Sequence, residues 1–405
     1  MRQLWRDLGR DTRLMMLSYL LWGVAEGLWM FLLPLYIKSL GATPGQTGFV
    51  IGLWGAGRLL VILPAGWFAD RLGARRMMLP GWYAGLLGVV GLALAPDWRW
   101  TVPPMLMYGV SAAVIPVVNA YLVEAGRHDP TRHPDLSVST SLSLLWASYT
   151  AGVVLTPSLG GWLGDQLGLR AVYWISAAWL ALSTLTAMAT HHYPAPVLPA
   201  EGHSPLRILR RSDVLVALGL LTLGFTALLI GQPLSAQYLE EVHSYSRTAI
   251  GIFGSLSALG TTVFSVLLGR AHPWHGFFLG LILAGLSFVL FVSSGALWVV
   301  VLAVFLLGAH YAVRPLASAI IEPLVEAHQR GVAFALVEML VGLAATGGPT
   351  VAGFLYAYDP RSPFVVGALG VGAVLALAAV LRRSERASRR NATLAAAYSK
   401  IERAR

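Results

Sequence analysis

The stretch Gly66-Trp67-Phe68-Ala69-Asp70-Arg71-Leu72-Gly73-Ala74-Arg75-Arg76 decides the fold, because it is a short charged break between two long apolar runs. Those runs lie near residues 47 to 69 and 77 to 95. Each has about 20 residues, the length at which an α-helix crosses a hydrocarbon core of about 30 Å. Outward from there the same alternation of apolar run and Gly, Pro or charge punctuation continues. Further runs fall near 14 to 38, 101 to 124, 137 to 163 and 171 to 190. After a polar, proline-containing stretch from His191 to Asp213 they resume near 214 to 240, 248 to 269, 276 to 292, 297 to 323, 331 to 356 and 363 to 381. The pattern predicts an all-α membrane protein with twelve transmembrane helices.

Composition agrees. Of 405 residues, 56% are hydrophobic and 12% charged, about half the charged share of an ordinary soluble domain. A water-soluble fold could not hide that much apolar surface. The net charge of +10 does not point to nucleic acid, since basic residues gather where loops of a membrane protein face the cytoplasm and anionic headgroups. Only Lys38 and Lys400 are lysine, a compositional bias that carries little functional information. The absence of cysteine removes disulfides, thiolate catalysis and Cys-ligated metal. The basic start (Arg2, Arg6, Arg10, Arg13) followed by apolar residues is not a signal peptide: the run from about Leu14 to Ile37 is too long, contains Glu26 and lacks a small-residue exit.

Basic residues also orient the chain. With the N-terminus inside, 22 of the 29 fall on cytoplasmic segments and five on external ones, namely Lys38, Arg99, Arg170, Arg247 and Arg361. Both termini are therefore expected in the cytoplasm. The division is a six-helix bundle over 1–190, a cytoplasmic linker over 191–213, a second bundle over 214–381 and a basic cytoplasmic tail over 382–405. The halves repeat. Gly308 to Pro315 can be laid on Gly109 to Pro116, an offset of 199, and Gly348-Pro349-Thr-Val-Ala-Gly353 echoes Thr156-Pro157-Ser-Leu-Gly-Gly161. Two related halves around a midplane site are the architecture of rocking transporters.

The segment from Gly66 to Arg76 resembles the signature loop of the major facilitator superfamily, G-x-x-x-D-R-x-G-R-R, with Ala74 where the family usually has a basic residue. The resemblance implies that Gly66, Asp70, Arg71, Gly73, Arg75 and Arg76 form a cytoplasmic gate motif that breaks on inward opening. In the fifth span Gly152-Val-Val-Leu-Thr156-Pro157-Ser-Leu-Gly160-Gly161 resembles the family's antiporter motif, with Thr156 replacing a Gly. Gly152, Pro157, Gly160 and Gly161 then imply a bent helix between the halves and tilt the reading towards export. The arginine that drug–proton antiporters carry in the fourth span is missing; Pro104, Met105 and Leu106 occupy that neighbourhood. The resemblance further implies that spans one, four, seven and ten line a cavity.

A charge at bilayer depth costs about 2.5 to 3.5 kcal/mol on insertion scales, so those that remain face a partner or a watery space. Glu26, Arg58, His310, Arg314 and Glu338 are the candidates for substrate and proton coupling. At about 1.5 Å of rise per residue, Glu26 and Arg58 both fall about 17 Å from the cytoplasmic ends of their helices. They are expected to pair, with Glu26 carrying the proton and Glu338 partnering Arg314. Trp22, Trp29, Trp54, Gln232 and Gln237 could furnish cavity walls. Near the cytoplasmic ends, Glu124 with Arg127 and Glu326 with Arg330 read as gate pairs.

Neither G-x-S-x-G, H-E-x-x-H nor a phosphate-binding loop occurs, so no enzyme, cofactor or metal is expected. The expectation is a monomeric, multi-pass inner-membrane carrier whose partners are a small-molecule substrate, protons and lipid. It is read as a proton-coupled exporter of amphiphilic or drug-like compounds. The alternative is uptake or exchange of a sugar or small organic anion, with Arg58 and Arg314 as ligands.

Overall fold

In lipid a backbone must satisfy its own N–H and C=O groups, and apolar runs of this length do so as helices. The computed structural model describes residues 7–112, 115–129, 131, 133, 137–193, 211–326 and 329–403, with the backbone alone at 62–72, 115, 331, 382 and 384–403. Among the described residues there is no strand. The helices are α1 (Arg10–Ser39), α2 (Pro44–Leu72), α3 (Ala74–Leu94), α4 (Trp98–His128), α5 (Val138–Leu167) and α6 (Leu169–Met188). They are followed by α7 (Ser212–Glu241), α8 (Arg247–Gly269), α9 (Pro273–Ser293), α10 (Leu297–Leu324), α11 (Arg330–Tyr358) and α12 (Ser362–Arg403). Eleven helices among the described residues are long and apolar enough to cross a membrane. The predicted span near 47 to 69 is α2, whose side chains beyond Val61 lie outside the description.

The sequence pattern explains most ends. Ser137 and Ser246 cap α5 and α8 by accepting from the amides of Thr140 and Ala249. Gly73 and Gly168 each form a one-residue break between helices, at φ 83° and φ 84°, a backbone region essentially reserved for glycine. One boundary differs from expectation. The helix of the last span does not stop near 381 but continues through the basic tail to Arg403, because the tail is rich in Ala and Arg and holds no Pro or Gly.

Helix packing repeats. In the first six helices α1 packs on α5 and α6, α3 on α4 and α6, and α2 on α4. Six helices later α7 packs on α11 and α12, α9 on α10 and α12, and α8 on α10. The two sets meet along α2–α11 and α5–α8, again an equivalent pair.

Close packing of α1, α3 and α6 is fixed by a buried polar knot. Ser18 and Ser183 exchange hydroxyl-to-carbonyl hydrogen bonds at 2.9 and 2.7 Å, and Trp82 Nε1 donates to Ser18 Oγ at 2.9 Å. A second knot sits at the end bearing the termini. Fully buried Asp11 accepts from Tyr121 Oη at 2.8 Å, Tyr193 Oη at 2.7 Å and the His191 amide at 3.1 Å. Its own amide donates to Asp129 Oδ2 at 3.1 Å. Burial pushes the Asp129 carboxyl up, but hydrogen bonds from the Thr131 hydroxyl and amide and from the Asp11 amide outweigh it and hold the group below the usual carboxylate range.

Candidate functional site

The site begins where the contact between the two helix sets ends. Along α2 the residues turned to α11 are Gly48, Gly52, Gly55 and Leu59, spaced four, three and four apart, one face of a helix. Their counterparts on α11 are Gly353, Pro349, Thr346 and Gly342. A Cβ on Gly48, Gly52 or Gly55 would run into the α11 backbone, so glycine is what lets the two helices touch. The α5–α8 seam is built alike: a Cβ on Gly161 would meet the Arg247 carbonyl and one on Gly251 the Pro157 carbonyl.

Arg58 lies one turn beyond Gly55, and Glu338 one turn beyond Gly342 on the same face. Their ion pair therefore closes the inner end of the seam. Arg58 Nη2 donates to Glu338 Oε2, and Arg314 Nη2 from α10 donates to the same oxygen at 2.8 Å. Arg58 is 5% exposed and its Nε has no partner. One turn before Arg314 stands His310, buried, with Nδ1 also unpartnered.

Glu26 belongs to a different environment, which corrects the expected pairing with Arg58. Trp22, one turn earlier on α1, donates Nε1 to Glu26 Oε2 at 3.0 Å. The indole reaches that position by lying against Gly85 of α3, where a side chain would displace it. The phenols of Tyr108 on α4 and Tyr149 on α5 stand beside the carboxyl. Tyr311 of α10 approaches it from the other set of helices. Tyr311 is 48% exposed although it lies within electrostatic reach of Glu26 inside the bundle, so solvent-accessible space reaches that level.

Helix breaks cluster at this level. α1 passes through a 3-10 turn at Met30–Leu32 just after Glu26. α7 breaks at 232–234, and α10 is interrupted at Gly308 and Val313. Discontinuous helices at bilayer depth are tolerated where they line a cavity. Gln232 falls on the α7 break. Trp22 serves as a wall, whereas Trp29 is fully buried against Tyr108 and Tyr173 and is packing. Gln237 is buried and donates to Glu241.

The outer ends carry a latch that the charge reading of the sequence passed over. Lys38 Nζ at the end of α1 lies 2.9 Å from both Glu240 Oε2 and Glu241 Oε1 at the end of α7. Tyr356 Oη of α11 donates to Glu241 Oε2 at 2.7 Å. On the other seam, the Thr248 amide and hydroxyl donate to Asp165 Oδ2 at 2.8 and 2.6 Å. The available signal was a rare lysine on one external segment facing an acidic pair at the end of the matching one.

In the antiporter-like stretch, Gly152 and Gly160 let α5 touch the α1 backbone at Gly23 and Leu28, and Thr156 Oγ1 donates to the Val24 carbonyl at 3.1 Å. In the loop motif, Gly66, Asp70 and Arg71 are described by their helical backbone alone. Gly73 makes the turn, Arg75 Nη2 donates to the Met188 carbonyl at 2.7 Å and Arg76 is exposed. Glu124 pairs with Arg127 at 3.0 Å. Arg330 pairs with Glu322 at 3.2 Å. Glu322 lies within one residue of the position that the repeat offset assigns to Glu124.

A family model described as Major Facilitator Superfamily matches residues 15–272 and 229–403. A multi-drug resistance efflux pump PmrA homolog of Lactococcus lactis is 27% identical over 363 residues, 85% of this chain and 88% of that protein. The class G tetracycline resistance protein of Vibrio anguillarum is 26% identical over 342 residues, 80% of this chain and 84% of its own. Among solved structures the nucleoside transporter NupG matches with TM-score 0.75 at 15% identity, covering 92% of this chain and 98% of that one. A bacterial homolog of the human lysosomal transporter Spinster matches with TM-score 0.70 at 18% identity, covering 92% and 96%.

Proposed function

The chain belongs to the major facilitator superfamily, and from that premise we propose that this multi-pass plasma-membrane transporter expels amphiphilic or drug-like compounds in exchange for protons. It works by alternating access, with twelve spans counting α2, two six-helix halves over 1–190 and 214–381, and both termini cytoplasmic. One relative named an efflux pump homolog and one named a tetracycline resistance protein, each covering most of the chain, support the direction of transport.

The observation that carries the coupling is Glu26. It is an acid without an ionic partner in its immediate nest of Trp22, Tyr108 and Tyr149, beside solvent-accessible space. Such a carboxyl can take a proton or face an organic cation in alternation, and the aromatic faces around it favour a hydrophobic cation. With the seams and the Lys38 latch closed at the ends away from the termini, the conformation corresponds to one open to the cytoplasm. Gly66, Asp70, Arg71, Arg75 and Arg76 then act when the cytoplasmic side closes.

The test is purified protein in proteoliposomes holding a pH-sensitive dye. A hydrophobic cation should drive proton movement in the wild type. In Glu26→Gln that movement should stop. Cation-independent proton flux, or coupling that survives Glu26→Gln, would overturn the proposal.

A further inference from the structure

Efflux coupled through Glu26 leaves the cationic cluster unused. We propose, resting on the reading of Glu26 given above, that Arg58 and Arg314 form an anion subsite in the same cavity. The transported solute is then amphoteric: a hydrophobic molecule with a basic nitrogen towards Glu26 and a carboxylate or similar acid group towards the arginines.

Charge and donors point the same way. Two guanidinium groups share one carboxylate, and they do so through a single oxygen, Glu338 Oε2. One positive charge is therefore in excess at bilayer depth, where an uncompensated charge is costly. A purely structural link between α2 and α11 needs one arginine, not two. A guanidinium offers five N–H donors in a fork suited to carboxylates, yet Arg58 Nε is buried with no acceptor. His310 Nδ1, one turn from Arg314, is also buried and unpartnered. Polar groups so placed await a ligand that can accept from them.

The acid and cationic centres face a common space. His310 and Tyr311 occupy the single turn Ala309–Ala312, set off by the breaks at Gly308 and Val313. Their rings are 4.6 Å apart. Tyr311, half exposed, lies within electrostatic reach of Glu26, while Arg314 opens the next helical segment and reaches Glu338. One short stretch of α10 thus lies within reach of both poles. A solute carrying only a cation would leave the arginines uncompensated, and one carrying only an anion would leave Glu26 unused.

Two matched pairs of probes separate the poles: norfloxacin against its methyl ester, and rhodamine 110 against rhodamine 123, its methyl ester. Ethidium serves as a cation without an acid group. Binding to purified wild type, read by tryptophan fluorescence, should be at least tenfold tighter for the acid in each pair. Arg314→Gln should remove that preference, and Arg314→Lys should keep most of it. Equal or weaker binding of the acids in the wild type overturns the inference without any variant, as does a preference that survives Arg314→Gln. Ethidium transport with Glu26-dependent proton flux but no acid preference would sink the anion subsite alone. Loss of that proton flux in the wild type would sink the efflux reading itself.

Discussion

Arg58 on α2 and Glu338 on α11 stand 280 positions apart in the chain and are joined by an ion pair that crosses between the two sets of six helices. Arg314 holds the same carboxylate oxygen at 2.8 Å. Removing the acid leaves two like charges facing each other with little solvent, and breaking a buried pair from one side costs about 3 to 5 kcal/mol. Glu338→Gln should therefore lower the melting temperature of detergent-purified protein by several degrees. The double variant Arg58→Met, Glu338→Met should recover more than half of the loss. Full stability in Glu338→Gln alone would mean that the pair is solvated and contributes little.

Trp22→Phe keeps the aromatic surface against Gly85 and removes the indole N–H that meets Glu26 at 3.0 Å. A hydrogen bond to a charged group contributes about 1.5 to 3 kcal/mol. Proton-driven efflux should fall about tenfold or more at an unchanged melting temperature. Equal loss of stability and transport would instead assign Trp22 to packing.

Gly161 on α5 abuts the Arg247 carbonyl of α8. That neighbour is backbone and cannot swing aside, so Gly161→Ala must part the helices. The chain contains no cysteine, so Ser255→Cys, on the α8 side of this seam where its hydroxyl accepts from the Ser158 amide, is a unique reporter. Its labelling by a membrane-impermeant maleimide should quicken at least threefold in the Gly161→Ala background. An unchanged rate would show that the seam does not limit access from that face.

Asp129 sits outside the spans with its carboxyl held below the ordinary range. A depressed folded-state value means stability that is present above the unfolded value, about 3.9, and lost as pH falls through the folded one. Asp129→Asn should be less stable than wild type at neutral pH, and the two melting temperatures should converge below about pH 4. Parallel curves at all pH values would remove Asp129 from the acid response.

Apolar run length and loop charge made the helices legible, because those properties are fixed by the lipid rather than by neighbours. The repeat was legible at Pro157 and Pro349 because glycines flank them at matching places. What sequence could not supply was azimuth. Glu26 and Arg58 are legible in the sequence as charges within spans, but equal depth says nothing of direction: Gly55 and Leu59 turn Arg58 to α11, while Trp22 and the tyrosines surround Glu26. Tyr108, Tyr149 and Tyr311 were invisible as a group, being three aromatics among many on three helices. The Trp22–Glu26 spacing of four was the one local signal for that nest. Lys38 was dismissed as composition and proves to be half of the outer latch.

The glycine seams have a mechanical consequence. Where backbone rests on backbone with no side chains interlocked, the surfaces meet like the two halves of a bearing: they resist compression but offer little grip against rolling. Parting them uncovers few apolar atoms, so at about 25 cal/mol per Å² the hydrophobic penalty per stroke is small. At the outer ends resistance then rests on the polar clasp of Lys38 with Glu240 and Glu241, beside the hydrogen bonds of Thr248 to Asp165. Its grip is ionic and partly exposed, so the pace of turnover answers to the salt of the medium bathing that face.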